Sequence, residues 1–113
     1  MAMSVSIVDA MHGRLARGLA VRLERRELHG WSECVTGRVG ADGDLDDLGS
    51  AQLQPGHYRL VVGLGPYYAT LGMQPFLNEV SAVFTLADGD GDSHHIPIVV
   101  APHACMIGEH RRK

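Results

Sequence analysis

The chain has 113 residues, which is enough for one domain and too short for a second independent core. Hydrophobic residues make up 45% and charged residues 20%, a globular composition that excludes an intrinsically disordered chain. The formal net charge is −3, and no basic face accompanies the basic residues 111–113, so we expect no nucleic-acid partner.

The first predicted elements are strands, because apolar and polar residues alternate with a period of two. Residues 6–25 predict a strand, a turn and a second strand. In the second of these, "GLAVRLER", the residues expected to face the core are Leu19, Val21 and Leu23. The run "HYRLVVGL" repeats the pattern, with Tyr58, Leu60 and Val62 on one face.

The next segment, "PYYATLGM", predicts a helix of about two turns. Pro66 suits its first position, since proline there lacks only an amide that the helix would leave unpaired. Gly72 suits its end, where the backbone often turns left-handed.

Two alternating runs follow, "VSAVFTL" at residues 80–86 and "SHHIPIVVA" at residues 93–101. In the first run the residues on one face, expected to face the core, are Val80, Ala82, Phe84 and Leu86. The loop between them, "ADGDGDS", predicts a hairpin connection. Short strands separated by regular turns predict an all-β antiparallel sandwich.

The last of these strands contains a proline. The core-facing set is Ile96, Ile98 and Val100, which leaves on the opposite face His95, Pro97 and Val99. Pro97 has no amide to donate, so we expect an edge strand, or a strand that turns this side away from a neighbour.

The start of the sequence has no basic segment followed by a long apolar run, and no stretch approaches about 18 apolar residues. We therefore expect a cytoplasmic protein with no membrane partner. Cys34 and Cys105 lack metal-type spacing and are expected to be free thiols.

Four histidines raise the question of a metal: His94, His95, His103 and His110. Neighbouring strand residues face opposite ways, so His94 and His95 do not suit one site. We predict no metal and no other cofactor, and leave open a site between subunits.

The order of the segments resembles the transthyretin and 5-hydroxyisourate hydrolase family over nearly the whole chain. The matching stretches are "VDAMHGRLARGLAVRL", "ADGDL", "LQPGHYRLVV" and "FLNEVSAVFTLADGDGDSHHIPIVVAP". The resemblance implies a single domain, residues 1–113, folded as a Greek-key β-sandwich of two four-stranded sheets with one short helix. It also implies a homotetramer built as a dimer of dimers, with a ligand channel at the dimer–dimer contact. The hydrolases of the family open the ring of 5-hydroxyisourate, a urate breakdown product, without a cofactor.

The resemblance also implies where the channel residues fall. Ser6 stands where the hydrolases have a histidine, and Asp44 where they have an arginine, whereas His95 keeps a family histidine. The terminal Tyr-Arg-Gly-Ser of the hydrolases falls on residues 108–111, which include His110. The positions expected to line the channel are Val8, Pro97, Met106 and Gly108.

Hydrolysis at an acyl carbon needs a base for water and donors for the developing oxyanion. Histidine titrates near neutral pH and suits the base, whereas Ser6 alone does not. We predict His95 as the proton-transfer group, with Asp44 or His110 as its partner and Ser6 beside it. The plainer readings remain open: His95 as an exposed strand residue and Asp44 as a solvated loop carboxylate.

Three functions follow from this mixture of residues. The first is a diverged family enzyme that acts on another small cyclic or carbonyl-containing substrate, for example in specialised metabolism. The second is an authentic 5-hydroxyisourate hydrolase of purine metabolism. The third is a non-catalytic small-molecule carrier, as transthyretin is.

Overall fold

The computed structural model describes residues 3–40, 53–87 and 94–111. Within these ranges the chain forms one helix, α1 (Leu64–Thr70), and a series of strands. The strands are β1 (Met3–Asp9), β2 (Arg14–Leu15), β3 (Ala20–Glu27), β4 (Gly30–Arg38), β5 (Gly56–Gly63), β6 (Glu79–Leu86), β7 (His94–Ala101), β8 (Ala104–Ile107) and β9 (His110–Arg111).

The strands form two sheets. One has the order β4-β3-β5-β6, and the other has the order β2-β1-β7-β8, with β9 also paired to β7. β8 and β9 lie along the same side of β7 in one continuous antiparallel register, so together they form the fourth strand position of this sheet. The predicted all-β sandwich of two four-stranded sheets with one short helix is confirmed.

Two predictions about connections are wrong. The strands on either side of "ADGDGDS" do not form the predicted hairpin, because β6 pairs with β5 in one sheet and β7 pairs with β1 in the other. Residues 88–93 of this segment lie outside the described residues. The sandwich is also not wholly antiparallel, since β1 and β7 run parallel over seven registered pairs. Alternation shows which face of a strand is buried, but it carries no information about the sheet that the strand joins.

Pro97 does not mark an edge strand, because β7 lies between β1 and β8. The Gly108 N–H donates to the Pro97 carbonyl at 3.1 Å, and the return bond of this antiparallel pair would need an N–H that proline lacks. β8 accordingly ends at Ile107 and β9 begins at His110. The missing donor is accommodated by a break in the neighbouring strand.

The core lies between the two sheets and follows the predicted alternation. Among the residues expected to face inward, those that are buried are Leu19, Val21, Leu23, Tyr58, Leu60, Val62, Leu86, Ile96, Ile98 and Val100. Burial of a Val, Leu or Ile side chain stabilises the folded chain by roughly 1.5–3 kcal/mol, so these residues fix the register of each strand.

Helix α1 begins at Leu64, two residues before the predicted start at Pro66, and its last residue is Thr70. Gly72 follows the C-cap Leu71 and forms the predicted left-handed end. Gly72 has φ +74°, and its N–H donates to the Ala69 carbonyl at 3.1 Å. The Met73 N–H donates to the Tyr68 carbonyl at 2.9 Å, which completes a Schellman motif. In the described part of the chain no helix has the length and apolar character needed to cross a membrane.

Candidate functional site

The site is built on the outer face of the β2-β1-β7-β8 sheet. On β1 the residues Val5 and Ile7 point into the core, so the alternate residues point outward. The parallel register between β1 and β7 pairs Ser4 with His95, Ser6 with Pro97 and Val8 with Val99. We call this set of outward residues, together with Leu15 and Met106, the outer face.

His95 is held between two serine hydroxyls of β1. Its Nδ1 lies 2.7 Å from the Ser4 Oγ, and its Nε2 lies 2.9 Å from the Ser6 Oγ. Both distances are those of good hydrogen bonds. A neutral imidazole has one N–H and one lone pair, so one hydroxyl accepts from the ring and the other donates to it. The ring is half-buried and fixed at both nitrogen atoms.

The structure therefore brings together two of the predicted catalytic residues, Ser6 and His95. It adds Ser4, which sequence reasoning missed. Ser4 precedes Ser6 by two positions, so the period of the strand could have placed both hydroxyls on the same face.

Of the two proposed partners of His95, the structure describes the backbone position of His110 but not Asp44. His110 on β9 is directly opposite His95 in the backbone register. Asp44 lies outside the described residues. The pairing of His95 with Asp44 stays a prediction.

The rest of the outer face is apolar. Leu15, Val8, Val99 and Met106 form one row across β2, β1, β7 and β8, and they are 40%, 38%, 38% and 70% exposed. The residues expected to line a channel all lie on this face: Val8, Pro97, Met106 and Gly108. The face thus offers polar groups at one end and an apolar surface at the other.

A second polar cluster lies on the core side of β1. The fully buried Asp9 carboxylate accepts hydrogen bonds from the hydroxyls of Tyr67 and Tyr68, at 2.8 and 3.1 Å. It also accepts from the N–H groups of Met11 and His12, and it lies 2.7 Å from His12 Nδ1. Burial alone would raise the pKa of Asp9, but these hydrogen bonds outweigh it and hold the pKa below its ordinary value. A buried ionised carboxylate with this many donors braces the strand rather than serving a ligand.

A cavity of about 560 Å³ opens at the β2 edge, lined by Arg14, Leu15, Arg17 and Tyr67. Of the described residues that line it, Leu15 also belongs to the outer face, and neither Ser6 nor His95 is among them. The candidate site is therefore His95 with its partners on the outer face.

Cys34 and Cys105 are free, as predicted. Burial raises the pKa of both thiols, which disfavours the reactive thiolate. Among the described residues, no group of three or more His, Cys, Asp or Glu side chains could hold a metal ion.

Comparisons with known proteins identify a family and several relatives of this chain. The model of the HIUase/transthyretin family, where HIUase stands for hydroxyisourate hydrolase, matches residues 3–107. A 5-hydroxyisourate hydrolase of Caulobacter vibrioides is 30% identical over 89% of this chain and 90% of its own length. The enzyme of the same name from Mus musculus is 29% identical, over 88% of this chain and 86% of its own length.

Solved structures of transthyretin share the fold. Transthyretin from Sparus aurata superimposes with a TM-score of 0.90 at 22% identity, covering 99% of this chain and 98% of its own. A structure of sea bream transthyretin in complex with thyroxine matches equally well and covers 97% of its own chain.

Proposed function

Because this chain belongs to the HIUase/transthyretin family, we propose that it is a diverged enzyme of that family acting on a small cyclic or carbonyl-containing substrate. His95 transfers the proton, and Asp44 or His110 assists it. The reaction takes place on the outer face, which a second dimer covers to form a channel in a homotetramer. The observation that carries the proposal is the His95 ring fixed by hydroxyls at both nitrogen atoms.

The reaction follows from the ordinary chemistry of imidazole. A neutral His95 takes a proton from the attacking group as that group adds to the carbonyl carbon, and returns it to the leaving oxygen or nitrogen. A base contributes most when it is already oriented, because no entropy is then lost in placing it. The two serine contacts supply this orientation.

The residue changes argue for a substrate other than 5-hydroxyisourate. By resemblance, Asp44 replaces an arginine of the hydrolases, and Ser6 replaces a histidine. A carboxylate in a channel disfavours anionic ligands and favours neutral or cationic ones. A mismatched buried charge costs on the order of 2–5 kcal/mol, which is enough to exclude a urate-like anion.

Two other functions are distinguishable. The relatives named 5-hydroxyisourate hydrolase support the hydrolase of purine metabolism. The apolar row of the outer face supports a carrier, since the related sea bream transthyretin binds thyroxine. A carrier would bind its ligand and leave it unchanged.

The test is a turnover screen of the purified protein with lactones, cyclic imides and 5-hydroxyisourate. We expect one of the first two groups to be hydrolysed, and 5-hydroxyisourate to react little faster than in buffer. The variants His95→Ala and Asp44→Asn should each abolish turnover with little change in melting temperature. The double variant should be little worse, because groups that act as a unit are not additive.

The matched control is His57→Ala. His57 is an exposed strand histidine of the other sheet, and its Nδ1 lies 3.0 Å from the Thr85 hydroxyl. Its loss should leave turnover unchanged. A catalytic efficiency near 10⁵ M⁻¹s⁻¹ on 5-hydroxyisourate would establish the hydrolase instead. Unchanged turnover in His95→Ala would overturn the site.

A further inference from the structure

We infer that Ser6 is a nucleophile that His95 activates, and that Ser4 is a positioning residue that holds the His95 ring through Nδ1. The inference rests on the proposed function and makes its mechanism covalent. The substrate class it implies is esters, lactones and other activated acyl compounds.

The first support is the distance between nucleophile and base. The Ser6 Oγ lies 2.9 Å from His95 Nε2, which is the reach a base needs to take the hydroxyl proton during attack. Ser6 is half-buried and lies on the outer face, so its oxygen is both oriented and accessible.

The second support is the contact on the other nitrogen. A base at Nε2 requires the proton at Nδ1, and Nδ1 lies 2.7 Å from the Ser4 Oγ. When Nδ1–H donates to Ser4, the Nε2 lone pair points to the Ser6 hydroxyl. Ser4 then orients the ring from its other nitrogen, as a third group does in other nucleophile–base arrangements, but without a charge.

The third support is the rigidity of the strands that carry the three side chains. Ser4 and Ser6 flank Val5, and His95 precedes Ile96, and both apolar residues are buried in the core. A slip of either strand by one residue would expose its apolar set. The register that places the three polar groups together is therefore fixed by the core.

Acyl transfer to Ser6 and hydrolysis of the acyl-serine need only the side chains and water. The Ser6 Oγ bonds to the carbonyl carbon, and its proton passes to His95 Nε2. The bond from that carbon to the leaving oxygen or nitrogen then breaks, and the leaving atom takes the proton from Nε2. Water repeats the sequence on the acyl-serine, so the acid is released and Ser6 is regenerated.

The position of Ser6 on the outer face indicates the shape of the substrate. The Ser6 row lies between the row of Ser4 and His95 and the apolar row that contains Val8 and Val99. An acyl compound with an apolar group next to its carbonyl would place the carbonyl at Ser6 and that group on the apolar row.

The experiment treats the intact protein with a fluorophosphonate, a probe that modifies activated serines, and locates the adduct by peptide mass spectrometry. We expect modification at Ser6, lost in Ser6→Ala and slowed at least about 100-fold in His95→Ala, as for loss of a general base. Ser4→Ala should slow labelling about tenfold, and Ser4→Thr, which keeps the hydroxyl, should restore it. The control Ser81→Ala removes an exposed strand serine on β6 and should change nothing.

The outcomes separate this inference from the proposed function. Absence of an adduct at Ser6 in the unaltered protein overturns the nucleophile, whatever the variants do. So does labelling that is unaffected by His95→Ala. If turnover of a carbonyl substrate persists in Ser6→Ala but is lost in His95→Ala, the proposed base stands and the covalent step is wrong. Melting temperatures of all variants identify any that fail to fold.

Discussion

Asp9 is the last residue of β1, and its carboxylate is fully buried. Its Oδ1 faces the N–H groups of Met11 and His12 and the Tyr68 hydroxyl, and its Oδ2 faces the Tyr67 hydroxyl and His12 Nδ1. The carboxylate thereby joins β1, the following turn and α1. The network has the character of a structural brace, because each of these donors has the Asp9 carboxylate as its acceptor.

We expect Asp9→Asn to destabilise the fold by about 3 kcal/mol, because an amide NH₂ would face one pair of donors and leave them without an acceptor. Urea unfolding at pH 7 measures this loss. The control Glu33→Gln changes an exposed carboxylate on β4 and should stay within about 0.5 kcal/mol.

The loss of stability caused by Asp9→Asn should depend on pH. The folded-state pKa of Asp9 is lowered, so its stabilising contribution is complete above the ordinary value of 3.8 and is lost as the pH falls through the folded value. The stability gap between the native protein and Asp9→Asn should therefore narrow in acid. A gap that widens below pH 4 would contradict this assignment.

Single residues show where sequence reasoning succeeds. His95 and Ser6 were identified by their positions in a family pattern, and the fold brings them into contact. Ser4 and Asp9 were missed, because a serine or an aspartate on a strand has no pattern of its own. Their roles arise from partners about 60 to 90 residues away in the sequence.

At the level of elements, period-two alternation identified the buried faces of β3, β5, β6 and β7. It did not identify β4, where most residues are exposed at the sheet edge and the alternation is weak. It also placed β6 and β7 in one hairpin, because chain proximity was the only guide to pairing. Local sequence determines the face of a strand, whereas the partner depends on the packing of the whole core.

The end of α1 was predicted correctly from Gly72, and its conformation leads to a test. We expect Gly72→Ala to destabilise the protein by about 1 kcal/mol, because a φ of +74° brings Cβ close to the carbonyl. No other atoms crowd the site, so the loss measures backbone conformation alone. Urea unfolding gives the value.

The control is Gly108→Ala. A Cβ there would lie 3.7 Å from the Pro97 Cγ, an ordinary contact, and Gly108 has no positive φ. This variant should unfold at nearly the native urea concentration. Equal losses for both glycines would show that the left-handed turn is not what Gly72 provides.

For the whole molecule, the apolar row of the outer face is the feature that a contact between copies would cover. We expect a tetramer in solution, with a mass by light scattering four times the 12.2 kDa of the chain. Met106→Glu adds a charge to this row and should yield dimers. The control Leu28→Glu lies at the β3–β4 turn, where the side chain is 91% exposed, and should leave the tetramer intact.

A stable monomer of the native chain at micromolar concentration would contradict this assembly. A tetramer that persists in Met106→Glu would place the contact on another surface. Either result would also remove the channel from the proposed function.

The parallel pairing of β1 with β7 has a consequence for how the protein is made. Ser4 and His95 are 91 positions apart, so the ribosome has released the amino-terminal strand long before its partner exists. Contacts of such separation form late, because most of the chain must already be ordered before their loop closes. The β4-β3-β5-β6 sheet can therefore form first, and β1 pairs with β7 afterwards. We expect the hydroxyl–imidazole contacts to form in this last stage of folding, which makes them a marker of the fully assembled sandwich.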